Sequence, residues 1–134
     1  MNTTQESEAP FILDDIAFEP ALAPLKKQLR IKDGSSSEAE LAALLPAATT
    51  VAKPKALYRL VYIDDKMPDA VTIDGVALRS RVLRVNLEVA HRAIVYVVTC
   101  GTELQTWGEG LDDMVHQYWA DTIKEMALRA AIQA

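Results

Sequence analysis

One apolar stretch, Ala93–Val98, constrains the fold of this chain more than any other part of its sequence. It holds six uncharged residues in succession, most of them β-branched. Such a run is typical of a strand that is buried on both faces, because neither side offers polar groups to water. The sequence therefore predicts that this segment is the central strand of a sheet.

A glycine-containing turn follows the apolar stretch directly. Thr99-Cys100-Gly101 ends the run, and Thr102 with Gln105 has the spacing of a capping box, so a helix is predicted to begin at Thr102. Free backbone N–H groups at such a helix start can bind a carboxylate or phosphate. Ordinary strand-to-helix connections have the same pattern, however, and no complete phosphate-loop motif is present. The candidate ligand-binding residues are Thr99, Gly101, Thr102 and Trp107.

Two helices are predicted in the first third of the chain, after a short edge strand within residues 10–16. Leucines at nearly helical spacing predict the first helix over residues 20–31. Ser37 and Glu40 have the spacing of a second capping box and predict the start of the next helix. Pro46 should kink or end that helix, because proline has no N–H to donate to the helical ladder.

The middle of the chain has the pattern of strands and a tight hairpin. Residues 56–63 are predicted to form a strand. Asp74-Gly75 stands between two apolar segments and predicts a hairpin turn, because both residues tolerate a positive φ. Ser80 is the predicted N-cap of a helix over residues 81–90.

The last helix has the clearest pattern in the chain. One apolar stripe at helical spacing predicts its buried face, formed by Leu111, Met114, Val115, Tyr118, Trp119, Ile123, Met126, Ala127 and Ala130. Leu128 lies on the opposite, polar side, which is compatible with a homodimer. All these elements predict an α+β fold, with a mixed or antiparallel sheet and packed helices. We expect a disordered segment over residues 1–9 and a single domain over residues 10–134.

Composition narrows the classes of function. The net charge is −5 and the pI about 5.0, which argues against a nucleic-acid or anionic-membrane surface. The N-terminus is polar and acidic, unlike a signal peptide, so we expect a cytoplasmic protein. Cys100 is the sole cysteine, which excludes an internal disulfide and a cysteine-based metal site.

Two further patterns could indicate a nucleophile and a metal site, but each also has a structural explanation. Cys100 precedes a predicted helix N-terminus and could be a thiol nucleophile, but a small buried residue is the more common role of a free cysteine. Asp112 and His116 have a spacing that metal ligands can use, but a solvated acidic helix face explains them as well. We therefore assign no metal site and no catalytic residue.

Five segments in order carry a family resemblance. They are Lys53–Arg59, Val71–Ser80, Leu83–Leu87, Val97–Gly101 with Glu103-Leu104, and Tyr118–Asp121. In order and spacing they resemble the small proteins related to the activation domain of cobalamin (vitamin B12)-dependent methionine synthase, over most of residues 11–132. The most specific pieces are the Thr-x-Gly turn after an apolar strand and the step from the hairpin to the capping serine.

The resemblance implies an activation-domain-like fold and a role in reductive methylation, or reactivation, of a corrinoid cofactor in methionine biosynthesis. In the full enzyme this domain binds S-adenosylmethionine and presents its methyl group to cobalt after one-electron reduction by a flavodoxin-type donor. The implied partners are a corrinoid protein or methyltransferase that holds cobalamin. Whether the chain is itself an enzyme stays open at this point.

One departure from the family limits what the resemblance carries over. The family's S-adenosylmethionine motif, Arg-x-x-x-Gly-Tyr or a Pro-Gly variant, lies beyond the last long helix, and this sequence has no Gly-Tyr pair. S-adenosylmethionine is thus an implied cofactor without assigned residues, and we expect the C-terminal part of the family fold to be lacking. Three functions remain: a reactivation module, a non-catalytic interaction module that docks on a corrinoid protein or methyltransferase, and a thiol enzyme that uses Cys100.

Overall fold

The computed structural model describes residues 9–134, so the predicted disordered segment lies almost entirely outside the described residues. The fold is α+β, with an antiparallel sheet and packed helices, as predicted. The elements in chain order are β1 (Phe11–Leu13), α1 (Leu22–Leu29), α2 (Ser36–Val51), β2 (Lys55–Met67), β3 (Ala70–Ile73), β4 (Val76–Arg79), α3 (Arg81–Asn86), β5 (Arg92–Thr99), α4 (Thr102–Glu109) and α5 (Met114–Gln133).

Contacts within the chain divide it into two compact units. Within the described part of the chain, unit 1 contains Leu57–Val97 together with residues 9–12. Unit 2 contains Leu13–Ala56 and Val98–Ala134. Among the described residues, no helix combines the length and the apolar character needed to cross a bilayer.

The sheet of unit 1 is built around β2. Its C-terminal half pairs antiparallel with β3, with Ile63 opposite Ile73, and the register shifts between Ile63 and Asp65. β3 pairs antiparallel with β4, and both β1 and β5 pair with β2. β2 is longer than the predicted strand over residues 56–63, because β3 provides partners as far as Met67.

The hairpin and the cap that follows it confirm two local predictions. Asp74 and Gly75 have φ values of 51° and 79°, which is the backbone that a tight two-residue hairpin requires. The Ser80 hydroxyl accepts a hydrogen bond from the Leu83 N–H at 3.1 Å and caps α3. The helix ends at Asn86 rather than near residue 90, and the Glu88 N–H donates to the Val85 carbonyl in a tighter turn.

A small core holds unit 1 together. Val61, Val71 and Ile73 are buried, and partly buried apolar side chains of β2, α3, the turn after α3 and β5 pack against them. These packed side chains are Ile63, Leu83, Leu87 and Ala93. Burial of such aliphatic groups away from water stabilises the unit.

The strand predicted at Ala93–Val98 is confirmed as β5, but its predicted burial is wrong. Ile94, Val95, Tyr96 and Val97 are 41–68% exposed. Within residues 9–134, β5 pairs with β2 alone. An apolar sequence indicates only that the side chains of a strand favour burial. Burial of both faces requires a packed layer on each face of the sheet, and the described residues do not provide both layers over β5.

The first two helices differ from the sequence expectation at their ends. α1 ends at Leu29, and Arg30 caps it with a left-handed φ of 57°. The N-cap of α2 is Ser35, whose hydroxyl accepts from the Glu38 N–H at 3.2 Å, so the cap predicted at Ser37 is wrong. The Ser35 and Glu38 pair has the same three-residue spacing, and sequence spacing alone could not choose between the two serines.

Pro46 does not end α2. The helix runs from Ser36 to Val51 through the proline. Proline removes one backbone donor, but Leu41 and Ala48 anchor the helix in the core before and after it. The packing on both sides therefore outweighs the loss of one hydrogen bond.

Unit 2 has the larger core. Its buried side chains come from α1, α2, α4 and α5, and are Leu25, Leu41, Ala48, Leu104, Trp119, Ile123 and Ala127. The predicted stripe of α5 is correct for Trp119, Ile123 and Ala127, but Met114, Val115 and Tyr118 near the helix start are exposed. Leu128, predicted on the polar side, is half-buried.

Candidate functional site

The turn between β5 and α4 has the position predicted for the candidate site. α4 begins at Thr102, as predicted, with Gly101 as its N-cap. The predicted capping box is absent, since no side chain accepts a hydrogen bond at this cap and the Gln105 amide donates to Glu109 at 2.7 Å instead. Because Gly101 is the N-cap, Thr102 is the first residue of the helix and does not cap it.

Gly101 has a backbone that requires glycine. Its φ is 92° and its ψ is 144°, a backbone conformation that residues other than glycine rarely adopt. A Cβ at this position would lie 2.6 Å from the Lys53 carbonyl oxygen and 2.9 Å from Oε1 of Glu103. The turn is therefore shaped by close approach of the segment before β2 as well as by its own dihedral angles.

The polar groups of the turn are bonded to one another. The Gly101 N–H donates to Oγ1 of Thr99 at 3.0 Å. Thr99 and Thr102 are exposed, whereas Gly101 is buried. The structure thus places Thr99 and Gly101 in one turn, where the Gly101 N–H is bonded to Thr99, and it leaves the Thr102 side chain open to water.

Glu103 and Lys55 add charge to the turn. The Lys55 ammonium donates to Oε1 of Glu103 at 3.2 Å. The pKa of Glu103 lies below its ordinary value, first because the carboxylate accepts from its own backbone N–H and then because Lys55 lies beside it. A carboxylate of the chain itself therefore occupies the positive end of α4, and an external anion would compete with it.

Trp107, unlike the other residues of the predicted site, is part of the packing around the core of unit 2. It lies in the second turn of α4, is half-buried, and packs against the core of unit 2. This contact gives the indole a structural role whether or not a ligand binds. An anion site at Thr99, Gly101 and Thr102 stays a prediction.

The other residues considered for chemistry have structural contacts. Cys100 is half-buried and packs against the core of unit 2, with its sulfur 3.6 Å from the Gly101 carbonyl oxygen. Nε2 of His116 lies 3.8 Å from a carboxylate oxygen of Glu40, and the imidazole centroid lies 5.1 Å from the ring of Trp119. Within residues 9–134, no group of three or more His, Cys, Asp or Glu side chains is placed to hold a metal ion.

Asp113 caps the N-terminus of α5. Its carboxylate is the N-cap and accepts from the N–H groups of Val115 at 2.7 Å and His116 at 3.2 Å. These two hydrogen bonds, that from His116 first, lower the pKa of Asp113. Asp113 of the acidic pair therefore has a capping function.

Sequence analysis missed two residues of the turn, Lys53 and Lys55. Lys53 limits the space at Gly101, and Lys55 pairs with Glu103. Both precede the turn by more than forty positions, so no local spacing connects them to it.

Comparisons of the chain with protein-family models, with curated proteins and with solved structures gave no match.

Replacing Glu103 with Gln should flatten the pH dependence of unit 2. Because the folded pKa is lowered, the ionised carboxylate stabilises the fold above the ordinary value of 4.5, and this contribution is lost as the pH falls through the folded pKa. We expect the free energy of unfolding of the native chain to fall more steeply between about pH 5 and about pH 3 than that of Glu103→Gln. Urea titrations followed by tryptophan fluorescence measure both.

The matched control for this experiment is Glu109→Gln, which alters a carboxylate at the opposite end of the same helix. It should leave the pH slope of the native chain in place. Equal slopes for native chain and Glu103→Gln would contradict the assigned role of the Glu103 carboxylate.

Proposed function

We propose that this chain is an activation-domain-like module that supports reductive methylation, and so reactivation, of a corrinoid cofactor in a methyltransferase system of methionine biosynthesis. One observation carries the proposal. Two of the five family-like segments, Lys53–Arg59 and Val97–Gly101 with its continuation Glu103-Leu104, meet at Gly101 through the Lys53 carbonyl and the ion pair of Lys55 with Glu103.

The most specific motifs of the resemblance have defined structural roles here. The glycine of the Thr-x-Gly turn has a φ of 92° and no space for a Cβ. Asp74-Gly75 forms the hairpin turn, and Ser80 caps the helix that follows. Residues that satisfy demanding backbone geometry are a better basis for a family proposal than residues that merely match in sequence.

The proposed role makes cobalamin a group held by the partner, which is a corrinoid protein or methyltransferase, and it places the chain in the cytoplasm. S-adenosylmethionine would supply the methyl group in the full enzyme. The described residues do not fit a site for it: the Gly101 N–H is bonded to Thr99, Glu103 covers the helix start, and the sequence has no Gly-Tyr pair. We therefore assign no step of methyl transfer to residues of this chain.

A second candidate is a non-catalytic module that docks on the same class of partner. The observation in its favour is that the turn is complete without a ligand. Thr99, Gly101, Glu103 and Lys55 satisfy one another within the chain. Under this proposal the turn is a rigid surface feature that a corrinoid protein or methyltransferase contacts.

Calorimetric titration separates these functions. The purified chain is titrated with S-adenosylmethionine and, separately, with a cobalamin-loaded corrinoid protein. Saturable heat with the corrinoid protein supports both candidates, and saturable heat with S-adenosylmethionine in addition supports the reactivation module. Heat with neither contradicts both. Thr99→Ala should weaken whichever binding uses the turn, whereas Thr50→Ala, an exposed hydroxyl of α2, is the matched control.

A further inference from the structure

The largest unexplained feature of unit 1 is the apolar surface of β5. We call Ile94, Val95, Tyr96 and Val97 the β5 surface; their exposed fractions are 61%, 41%, 58% and 68%. Successive side chains of a strand point to opposite faces, so both faces of β5 are open. Scattered apolar residues are normal on a protein surface, but four consecutive ones on a single strand mark an interaction site.

β5 is an edge strand in the described part of the chain. The Ile63 N–H donates to the His91 carbonyl at 3.0 Å, and Ile63 is also opposite Ile73 of β3. β3 and β5 therefore lie on opposite sides of β2, and no strand of residues 9–134 lies beside the far side of β5. Edge strands are often protected by lysine or proline, and β5 contains neither residue.

The alternation of hydrogen bonds along β5 indicates which of its backbone N–H and C=O groups point away from β2. In an antiparallel pair, alternate residues direct their N–H and C=O groups to the same neighbour. Since His91 bonds to β2, the residues at even positions, Ile94 and Tyr96, direct theirs to the open edge. That edge presents an uninterrupted set of donors and acceptors, which a strand of the same kind can satisfy.

We propose that the β5 surface is a dimer interface, in which β5 of a second copy of this chain pairs antiparallel with β5 about a two-fold axis at Val95. In this register Ile94 lies opposite Tyr96 of the second copy, which is a favourable β-branched and aromatic pair, and Val95 lies opposite its own equivalent. Such an interface is isologous, so each open hydrogen-bonding group finds its counterpart in the other copy.

The charges of β5 fit this arrangement. Arg92, at the first position of β5, is its sole charged residue. Antiparallel pairing about Val95 separates the two Arg92 residues by about 20 Å along the strands, whereas parallel pairing would place them side by side. The rest of the strand brings no like charges together, although each chain has a net charge of −5.

The apolar area extends beyond β5 across the sheet. A groove of about 360 Å³ lies along the strand and is lined by Pro10, Leu57–Arg59 and Val95–Val97. Phe11 stacks on Tyr58 with ring centroids 5.3 Å apart and is 50% exposed, and Ile12 is 69% exposed. These side chains continue the apolar surface of β5 onto the neighbouring strands of the sheet. Pairing through the open edge of β5 brings the side chains of the two β5 strands into contact with each other.

A charge-reversal experiment on the full chain tests the dimer. Sedimentation velocity over a range of concentrations should show a dimer for the native chain. Val95→Lys and Val95→Glu each place like charges opposite one another at the two-fold axis, so each should raise the dimer Kd roughly tenfold or more. An equal mixture of the two variants should restore the dimer, because Lys then faces Glu.

Val89→Lys is the matched control, because Val89 is an 87% exposed apolar residue outside the β5 surface. It should leave the dimer Kd unchanged. Restoration by mixing also shows that the two variants fold, since unfolded chains would not reassociate.

Three outcomes would overturn the proposal: a native chain that is monomeric at all concentrations, a dimer unaffected by Val95→Lys, and a failure of the mixture to restore association. If the native chain is monomeric but the Val95 variants lose affinity for the corrinoid protein, the β5 surface binds that partner instead. The dimer proposal then fails while the proposed function stands, so the two are distinguishable.

Discussion

Gly101→Ala is expected to lower the free energy of unfolding of unit 2 by about 3 kcal/mol or more. The backbone of this residue, at φ 92° and ψ 144°, is open almost exclusively to glycine and costs other residues about 1–3 kcal/mol. The new Cβ would also lie 2.6 Å from the Lys53 carbonyl oxygen. A backbone atom cannot rotate away, so the segment before β2 would have to move and the ion pair of Lys55 with Glu103 would be disturbed.

Tryptophan fluorescence during urea unfolding measures this effect specifically. The chain has two tryptophans, Trp107 and Trp119, and both belong to unit 2. Gly34→Ala is the control in the same unit, since Gly34 also has a positive φ, 76°, but nothing lies within 4 Å of its Cβ position. It should cost about 1 kcal/mol. Equal losses for the two variants would show that the contact with Lys53 contributes nothing.

Leu104→Ala should cost about 2–5 kcal/mol of the stability of unit 2. Leu104 is fully buried, and its helix α4 packs against α2 and α5. Removing the isobutyl group takes away its transfer free energy and leaves a cavity that the three helices can close only partly. The alanine itself favours a helix, so the loss comes from packing and not from helix propensity.

The control for this variant is Met114→Ala, which shortens a large apolar side chain in α5 that is 82% exposed. Its effect should lie within about 0.5 kcal/mol of the native chain. The same urea titration serves for both. A loss below about 1 kcal/mol for Leu104→Ala would mean that α4 is not part of the cooperative core.

Local features of the fold were predictable because each depends on neighbouring residues. Asp74-Gly75 specifies its hairpin and Ser80 caps its helix through contacts within three positions. The strand at β5 and the helix start at Thr102 follow from short runs of residues in the same way. The position of the turn between β5 and α4 was therefore predictable, and the anion site assigned to it stays a prediction.

The remaining features depend on contacts between distant residues. Ser35 rather than Ser37 caps α2, and Glu38 of the same turn pairs with Lys26 at 2.6 Å, an interaction with a different helix. Lys55 reaches Glu103 across forty-eight positions. The exposure of β5 depends on whether a second layer covers it. Periodicity contains none of this information, since it records the preference of each side chain and not its eventual neighbour.

Unit 2 is discontinuous in sequence, because most of unit 1 is inserted between its two parts. Its two parts, Leu13–Ala56 and Val98–Ala134, are separated in sequence by the whole of Leu57–Val97. Closing so long a flexible loop costs conformational entropy. In unit 1, however, β2 pairs with β5, and Leu57 and Val97 line the same groove. A folded unit 1 therefore holds the ends of the insertion side by side, so the two parts of unit 2 are joined through a short span rather than through a long flexible loop.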